Sequence, residues 1–295
     1  MKWKVPQPSA SISALPPSSQ RALWIATAAV YAALALLYLP NLRVGPITLD
    51  DQSLLLEFSG RSFTSVWSYD VFGHLRPVKN LLFWSLARHP DAIALFRFTI
   101  LACHLGAVAV TQLMATRILA SRFWGLATAS CFAFNPAIAS VVCWLSAGNL
   151  TFCLLGVLVF GLFADRALKH GKPRPRRRDV AFALVGFAFA VFSHEIAVVA
   201  PALLLLRPRE ARGPRTYAVA GGAFACVVAL LILRGCAVAP STSYRFDSYP
   251  KWLLTLSAAR YLAENLSLWA WLPGWFGVLL VDKPREHIIA NILCW

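Results

Sequence analysis

Ala22 to Leu39 is a run of 18 residues without a single charge. At 1.5 Å per residue, a helix of that length is about 27 Å long, close to the hydrocarbon thickness of a bilayer. Comparable apolar stretches follow at about Ile93 to Met114, Phe123 to Leu145, Leu150 to Ala164, Val180 to Leu206, Ala218 to Leu233 and Tyr261 to Val281. Composition agrees: 58% of the 295 residues are hydrophobic and 14% charged, where soluble domains carry about a quarter charged. The pattern predicts an all-α, polytopic membrane helix bundle of about 8 to 9 membrane helices. After a polar, proline- and serine-rich tail at 1–21, read as disordered, residues 22–295 form one membrane domain. The first span lacks the short apolar core and small-residue cleavage site of a signal peptide, so it is expected to stay attached.

Two spans are irregular. Asn135-Pro136 falls within Phe123 to Leu145, and proline there removes a backbone hydrogen bond and bends the helix. Val180 to Leu206 is interrupted by Ser193, His194, Glu195 and Pro201 and flanked at both ends by basic clusters. A single crossing would put those clusters on opposite faces, so the stretch reads as two short helices meeting near Ser193 to Glu195 at the outer face. Residues 288–295 are apolar but too few to cross a bilayer, so the chain reads as truncated or as ending in the interface.

The net charge of +15 is topological. The basic residues lie in short clusters between apolar spans, with no basic domain to hold a duplex, which excludes a nucleic-acid partner. With the N-terminus inside, 18 of the 28 Lys and Arg residues fall in cytoplasmic segments, the densest being Lys169 to Asp179. Residues 41–80 and 234–260 then form first and second outer loops. No repeat relates the two halves, which weakens a transporter built from inverted repeats. The seven cysteines include no Cys-x-x-Cys pair and lie in or beside apolar stretches, as core filler does.

Polar chemistry concentrates between Leu49 and Leu86. Asp50 and Asp51 admit two readings. They cap and charge the first turn of a helix over Gln52 to Phe58, or one of them is a general base at the outer membrane face. Downstream, His74-Leu75-Arg76-Pro77 brings a fixed cation to the end of the loop, suited to binding phosphate through two parallel hydrogen bonds or to meeting lipid headgroups. Lys79 reads as a headgroup anchor, and Arg97 as a side chain that snorkels to the interface. Ser193-His194-Glu195 holds the chain's only His followed directly by Glu. An ionisable residue among apolar helices suggests a functional site, although a structural pairing of Glu195 with a loop arginine is an equal reading. No ligand spacing is diagnostic of a metal, so no cofactor is assigned and a divalent ion stays open.

The order of these motifs resembles the GT-C class of integral-membrane glycosyltransferases, particularly its protein O-mannosyltransferase-like branch. The likeness covers about residues 22–280. It runs through Leu49-Asp50-Asp51, the GHLRP segment at 73–77, FAFNPAIASVVCWLSAGN at 132–149 and FSHEIAVVAPALLLL at 192–206. The resemblance implies transfer of a sugar from a polyprenyl-phosphate donor to a hydroxyl of a protein or glycan acceptor, with inversion. The reaction would take place at the extracytoplasmic face of a multi-pass protein, in a bacterial inner membrane. It implies Asp50 or Asp51 as the catalytic carboxylate, with Arg76 matching the family's loop arginine and Glu195 its later acid; with their neighbours His74 and His194, Arg76 and Glu195 are the expected donor-phosphate or substrate ligands. The chain departs from the family pattern in having Asn135 where His is common and His194 where Lys is common, and in ending where relatives continue. A lipid or solute transporter and a noncatalytic membrane subunit are the rival readings.

Overall fold

A computed structural model describes residues 17–43, 49–68, 75–168, 177–205 and 214–236. Every regular element among them is helical. Helix α1, Pro17–Tyr38, starts inside the stretch read as a tail and runs into a 3-10 turn at Pro40–Arg43. Proline suits a first helical position, because its missing N–H has no intrahelical acceptor there and its φ is already set. The first loop is itself folded into α2 (Leu49–Ser59), α3 (Ser65–Ser68) and α4 (Pro77–Leu86). Then come α5 (Ala92–Ile118), α6 (Arg122–Ala133), α7 (Pro136–Cys143), α8 (Gly148–Leu168), α9 (Arg177–Ser193), α10 (Ala202–Leu205) and α11 (Pro214–Cys236).

Among the described residues, four segments are long and apolar enough to cross a membrane: Ser18–Leu42, Ala92–Ile118, Leu145–Leu168 and Thr216–Leu233. The expected crossing at Phe123 to Leu145 is two shorter helices, because the chain breaks at Asn135-Pro136 and α7 restarts with Pro136. The expected pair around Ser193 is α9, of 17 residues, then a 3-10 turn at Glu195–Val199 and the four-residue α10. The expected span Tyr261 to Val281 and nearly all of the second outer loop lie outside the described residues.

Among the described residues, two apolar cores hold the helices together. In the first, Leu34 and Tyr38 of α1, Leu54 and Phe58 of α2, Phe83 of α4, and Phe96 and Ile100 of α5 pack with Ala129 of α6 and Phe152 of α8. The rings of Phe58 and Phe83 stack at 6.0 Å, and those of Phe83 and Phe96 meet at 4.3 Å. Thus α2 is docked on α4 rather than floating, with Leu56 outward. The second core joins α8, α9 and α11 through Phe160, Phe187, Ala190, Val191, Val219 and Ala223. The α8–α9 pair is close because small residues sit where it crosses. A Cβ on Gly156 would lie 2.6 Å from Gly186 O, and one on Gly186 would lie 3.0 Å from Phe160 N. Lipid supplies no hydrophobic drive between helices, so such close backbone approach is how they gain packing energy.

Helix α1 exposes Trp24, Ile25 and Leu36 on its outer side, as a lipid-facing helix does, and is fastened to α5 by polar contacts. Tyr31 Oη donates to Gln112 Oε1 (3.2 Å), the Tyr38 and His104 rings meet edge to face at 5.7 Å, and Arg97 Nη1 donates to Asn41 Oδ1 (2.7 Å) and to the Asn41 carbonyl. Arg97 is 1% exposed, so it does not snorkel to the interface as the sequence suggested. Its guanidinium satisfies the carbonyl end of the α1 turn instead, a use that hydropathy cannot reveal.

The helices run so that one end of the bundle gathers Arg76, the α8 N-terminus and the α9 C-terminus. The turns carrying Arg117 and Arg122, and the α8 and α9 ends at Leu168 and Arg177, lie at the other end.

Candidate functional site

Three segments, far apart in sequence, meet at the first of these ends. Arg76 comes first. Preceding Pro77 restricts it to extended geometry (φ −130°, ψ 77°), so it caps α4 from outside and its side chain projects off the helix end. The second segment is the 3-10 turn Leu145–Ala147 leading into α8, where Gly148 sits close against α5: a Cβ there would lie 2.5 Å from Ile100 Cδ1, which would have to shift. Tight seating on α5 places Ser146 and Asn149 beside Arg76. The third is His194-Glu195. Ser193 closes α9, and extended His194 (φ −157°, ψ 134°) caps the following turn by accepting from Ile196 N–H at Nδ1 (3.2 Å).

Arg76 is the hub. Its Nη2 lies 3.3 Å from Glu195 Oε1 and 3.3 Å from His194 Nε2. The Asn149 amide, oriented to satisfy both neighbours, accepts from Arg76 Nη1 at Oδ1 (3.2 Å) and donates from Nδ2 to Ser146 O (2.8 Å). Lys79, one turn into α4, donates from Nζ to the same Ser146 carbonyl (3.2 Å) and lies 5.7 Å from the centre of the Phe83 ring. His194 Nδ1 is 3.5 Å from Glu195 Oε2, and Cys153 Sγ is 3.9 Å from His194 O. Burial by itself would raise the Glu195 carboxyl. Its own backbone N–H, the Arg76 charge and His194 outweigh that and hold it below the ordinary glutamate range.

Among the described residues the cluster joins Arg76 and Lys79 with the Glu195 carboxylate at a half-open surface, and its guanidinium and ammonium donors suit an anionic ligand. It brings together Arg76, His194 and Glu195, which the sequence singled out separately. Lys79 is 5% exposed and belongs to this cluster, contrary to the headgroup role expected from its position in an apolar run. Ser146 and Asn149 lie in the 132–149 segment that carried the resemblance and were read as an outer turn, but neither was singled out as a site residue, since a Ser-Ala-Gly-Asn turn carries no charge to mark it. Ser193 is fully buried, its hydroxyl donating to Phe189 O (2.6 Å), so of the expected outer turn it is Glu195 and Ile196 that face outward.

Asp50 and Asp51 lie in the first turn of α2. α2 in turn packs against α4 and the Leu145–Ala147 turn, the two elements that carry Arg76, Lys79 and Ser146. His74 lies outside the described residues. Among the described residues, no three His, Cys, Asp or Glu side chains group as a metal site. Compared with known proteins, the chain matches no family model, no curated protein and no solved structure, which leaves the geometry of the Arg76 cluster to carry the functional argument.

Proposed function

We propose that this protein is a GT-C-like membrane glycosyltransferase of 8 to 9 membrane helices that moves a sugar from a polyprenyl-phosphate donor to a hydroxyl of a protein or glycan acceptor. The observation that carries the reading is the contact of Arg76 with His194 and Glu195, two motifs 119 residues apart joined at one end of an apolar bundle. That end lies opposite the basic turns, and the positive-inside rule makes it extracytoplasmic, as expected of an enzyme in a bacterial inner membrane with its N-terminus inside. The charge flow of the reaction needs two kinds of group. As the acceptor oxygen bonds to the anomeric carbon, its proton must leave, and the bond from that carbon to the phosphate oxygen breaks with negative charge building on phosphate. Asp50 or Asp51 takes the proton; Arg76, with Lys79 behind it, meets the phosphate. The approach of α2 to α4 is compatible with both groups flanking one sugar.

The test is purified protein in a bilayer mimic with a panel of radiolabelled polyprenyl-phosphate sugars. A general base contributes about 10²- to 10⁴-fold to rate, so Asp50→Asn or Asp51→Asn should lose turnover on that scale while keeping lipid binding. Transfer by both variants at the wild-type rate would reduce the two acids to helix caps and refute the mechanism.

A further inference from the structure

Two hydrogen-bond donors converge within the Arg76 cluster. Because Ile196 N–H donates to His194 Nδ1, that nitrogen presents a lone pair, and the neutral ring carries its proton on Nε2. Nε2 faces Arg76 Nη2 at 3.3 Å, and a guanidinium nitrogen can only donate. Two N–H groups at that distance cannot bond each other, but they can share an acceptor placed between and above them. Glu195 fills that role only loosely. Its Oε1 is 3.3 Å from Arg76 Nη2, against about 2.7–2.9 Å for a tight charge-assisted bond. Its side chain is 37% exposed, against 18% for those of Arg76 and His194. The two donors are the fixed partners: Pro77 and Asn149 hold Arg76, and the turn itself holds His194.

We propose that Glu195 is a placeholder, a built-in carboxylate resting at an Arg76–His194 clamp whose ligand is a phosphate oxygen, which displaces it; this rests on the phosphate-binding part of the function proposed above. The clamp then exchanges one anionic oxygen for another, with Lys79 held nearby by Ser146 O. A competing anion lowers apparent affinity, so removing its charge strengthens binding. An acid that oriented the ligand, or that merely held Arg76 in place, would have the opposite effect when neutralised.

The experiment uses the whole chain in nanodiscs of neutral lipid, with intrinsic tryptophan fluorescence as the readout. One arm adds a long-chain polyprenyl monophosphate to the bilayer in increasing mole fraction; the other adds inorganic phosphate to the buffer. Glu195→Gln should bind about two- to fivefold more tightly than wild type, the factor corresponding to loss of a half-exposed ion pair. Glu195→Ala should show the same sign, which separates charge from shape. Arg76→Gln and His194→Phe, checked by melting for an intact fold, should weaken binding. A gain in the lipid arm alone assigns the clamp to a membrane-borne phosphate, and a gain in both arms to phosphate from either source. Equal or weaker binding by both Glu195 variants overturns the placeholder while leaving the glycosyltransferase reading standing. Absence of phosphate binding in every protein and both arms overturns the placeholder and the phosphate site together.

Discussion

Replacing Gly156 by alanine tests whether the α8–α9 crossing positions the candidate site. The added Cβ would lie 2.6 Å from Gly186 O, 2.7 Å from Ala190 N and 2.8 Å from Ala190 Cβ, and two of these three atoms are backbone and cannot rotate away. A relaxed carbon–oxygen contact is about 3.3 Å, so α9 must retreat by about 0.7 Å. Ala190 is only three residues from the end of α9, and the retreat passes directly to His194 and Glu195. The Arg76–Glu195 distance of 3.3 Å would then open to about 4.0 Å, outside hydrogen-bond range. Overpacking of this kind costs about 1–3 kcal/mol. Alanine also gains about 1 kcal/mol over glycine in helix propensity, so the comparison must cancel that gain. Gly161→Ala on the same helix supplies the control, since a Cβ there meets only Met114 Cε at an ordinary 3.5 Å. Denaturation in mixed micelles, followed by tryptophan fluorescence, should place Gly156→Ala below Gly161→Ala by about 1–3 kcal/mol. Equal stability of the two variants would show that α8 and α9 do not approach through Gly156, and the route from helix packing to site geometry would fail.

Three further outcomes follow. Single cysteines at Gly60 and Ile196 should react with an impermeant thiol reagent added outside intact cells, in a background with native cysteines blocked, whereas one at Leu119 should not; the reverse pattern would invert the proposed orientation. Arg97→Met leaves the buried Asn41 carbonyl and amide oxygen without this donor and should destabilise the protein by about 1–3 kcal/mol in the same assay, and wild-type stability would mean Arg97 does not anchor the α1 turn. Glu195 has a carboxyl pKa held below its ordinary value, so its contribution to stability is present above the unfolded-state pKa of about 4.3 and is lost only as pH falls through the lower folded value. The difference in melting temperature between wild type and Glu195→Gln should therefore stay constant through neutral pH and change only in acid; a change centred at or above neutral pH would contradict the Arg76 pairing.

Individual residues show where sequence reasoning held and where it stopped. Pro136 marked a bend because proline cannot continue a hydrogen-bonded ladder wherever it sits, and the chain goes further, dividing there into α6 and α7. Ser193-His194-Glu195 marked a turn because three polar residues in an apolar run are expensive unless the helix ends, and α9 ends there. Lys79 and Arg97 were misread for a shared reason. Snorkelling and headgroup contact assume that a long cation has lipid beside it, and one-dimensional hydropathy cannot tell a lipid neighbour from a carbonyl of another helix. Ser146 and Asn149 were legible as a turn but not as site residues, because an uncharged turn carries no electrostatic signature until a guanidinium is laid against it.

The sequence by itself therefore determined that the chain is helical and built for lipid, that it is interrupted at Pro136 and turns near Ser193 to Glu195, and which charges must be shared among few residues. Those properties follow from local terms: transfer free energy per residue, the missing N–H of proline, and the scarcity of acids. Only the tertiary structure decided that Arg76, Lys79, Asn149, His194 and Glu195 occupy one place. Their meeting depends on the close crossing at Gly156 and Gly186 and on the seat of Gly148 against Ile100, which are contacts between surfaces rather than properties of any single stretch.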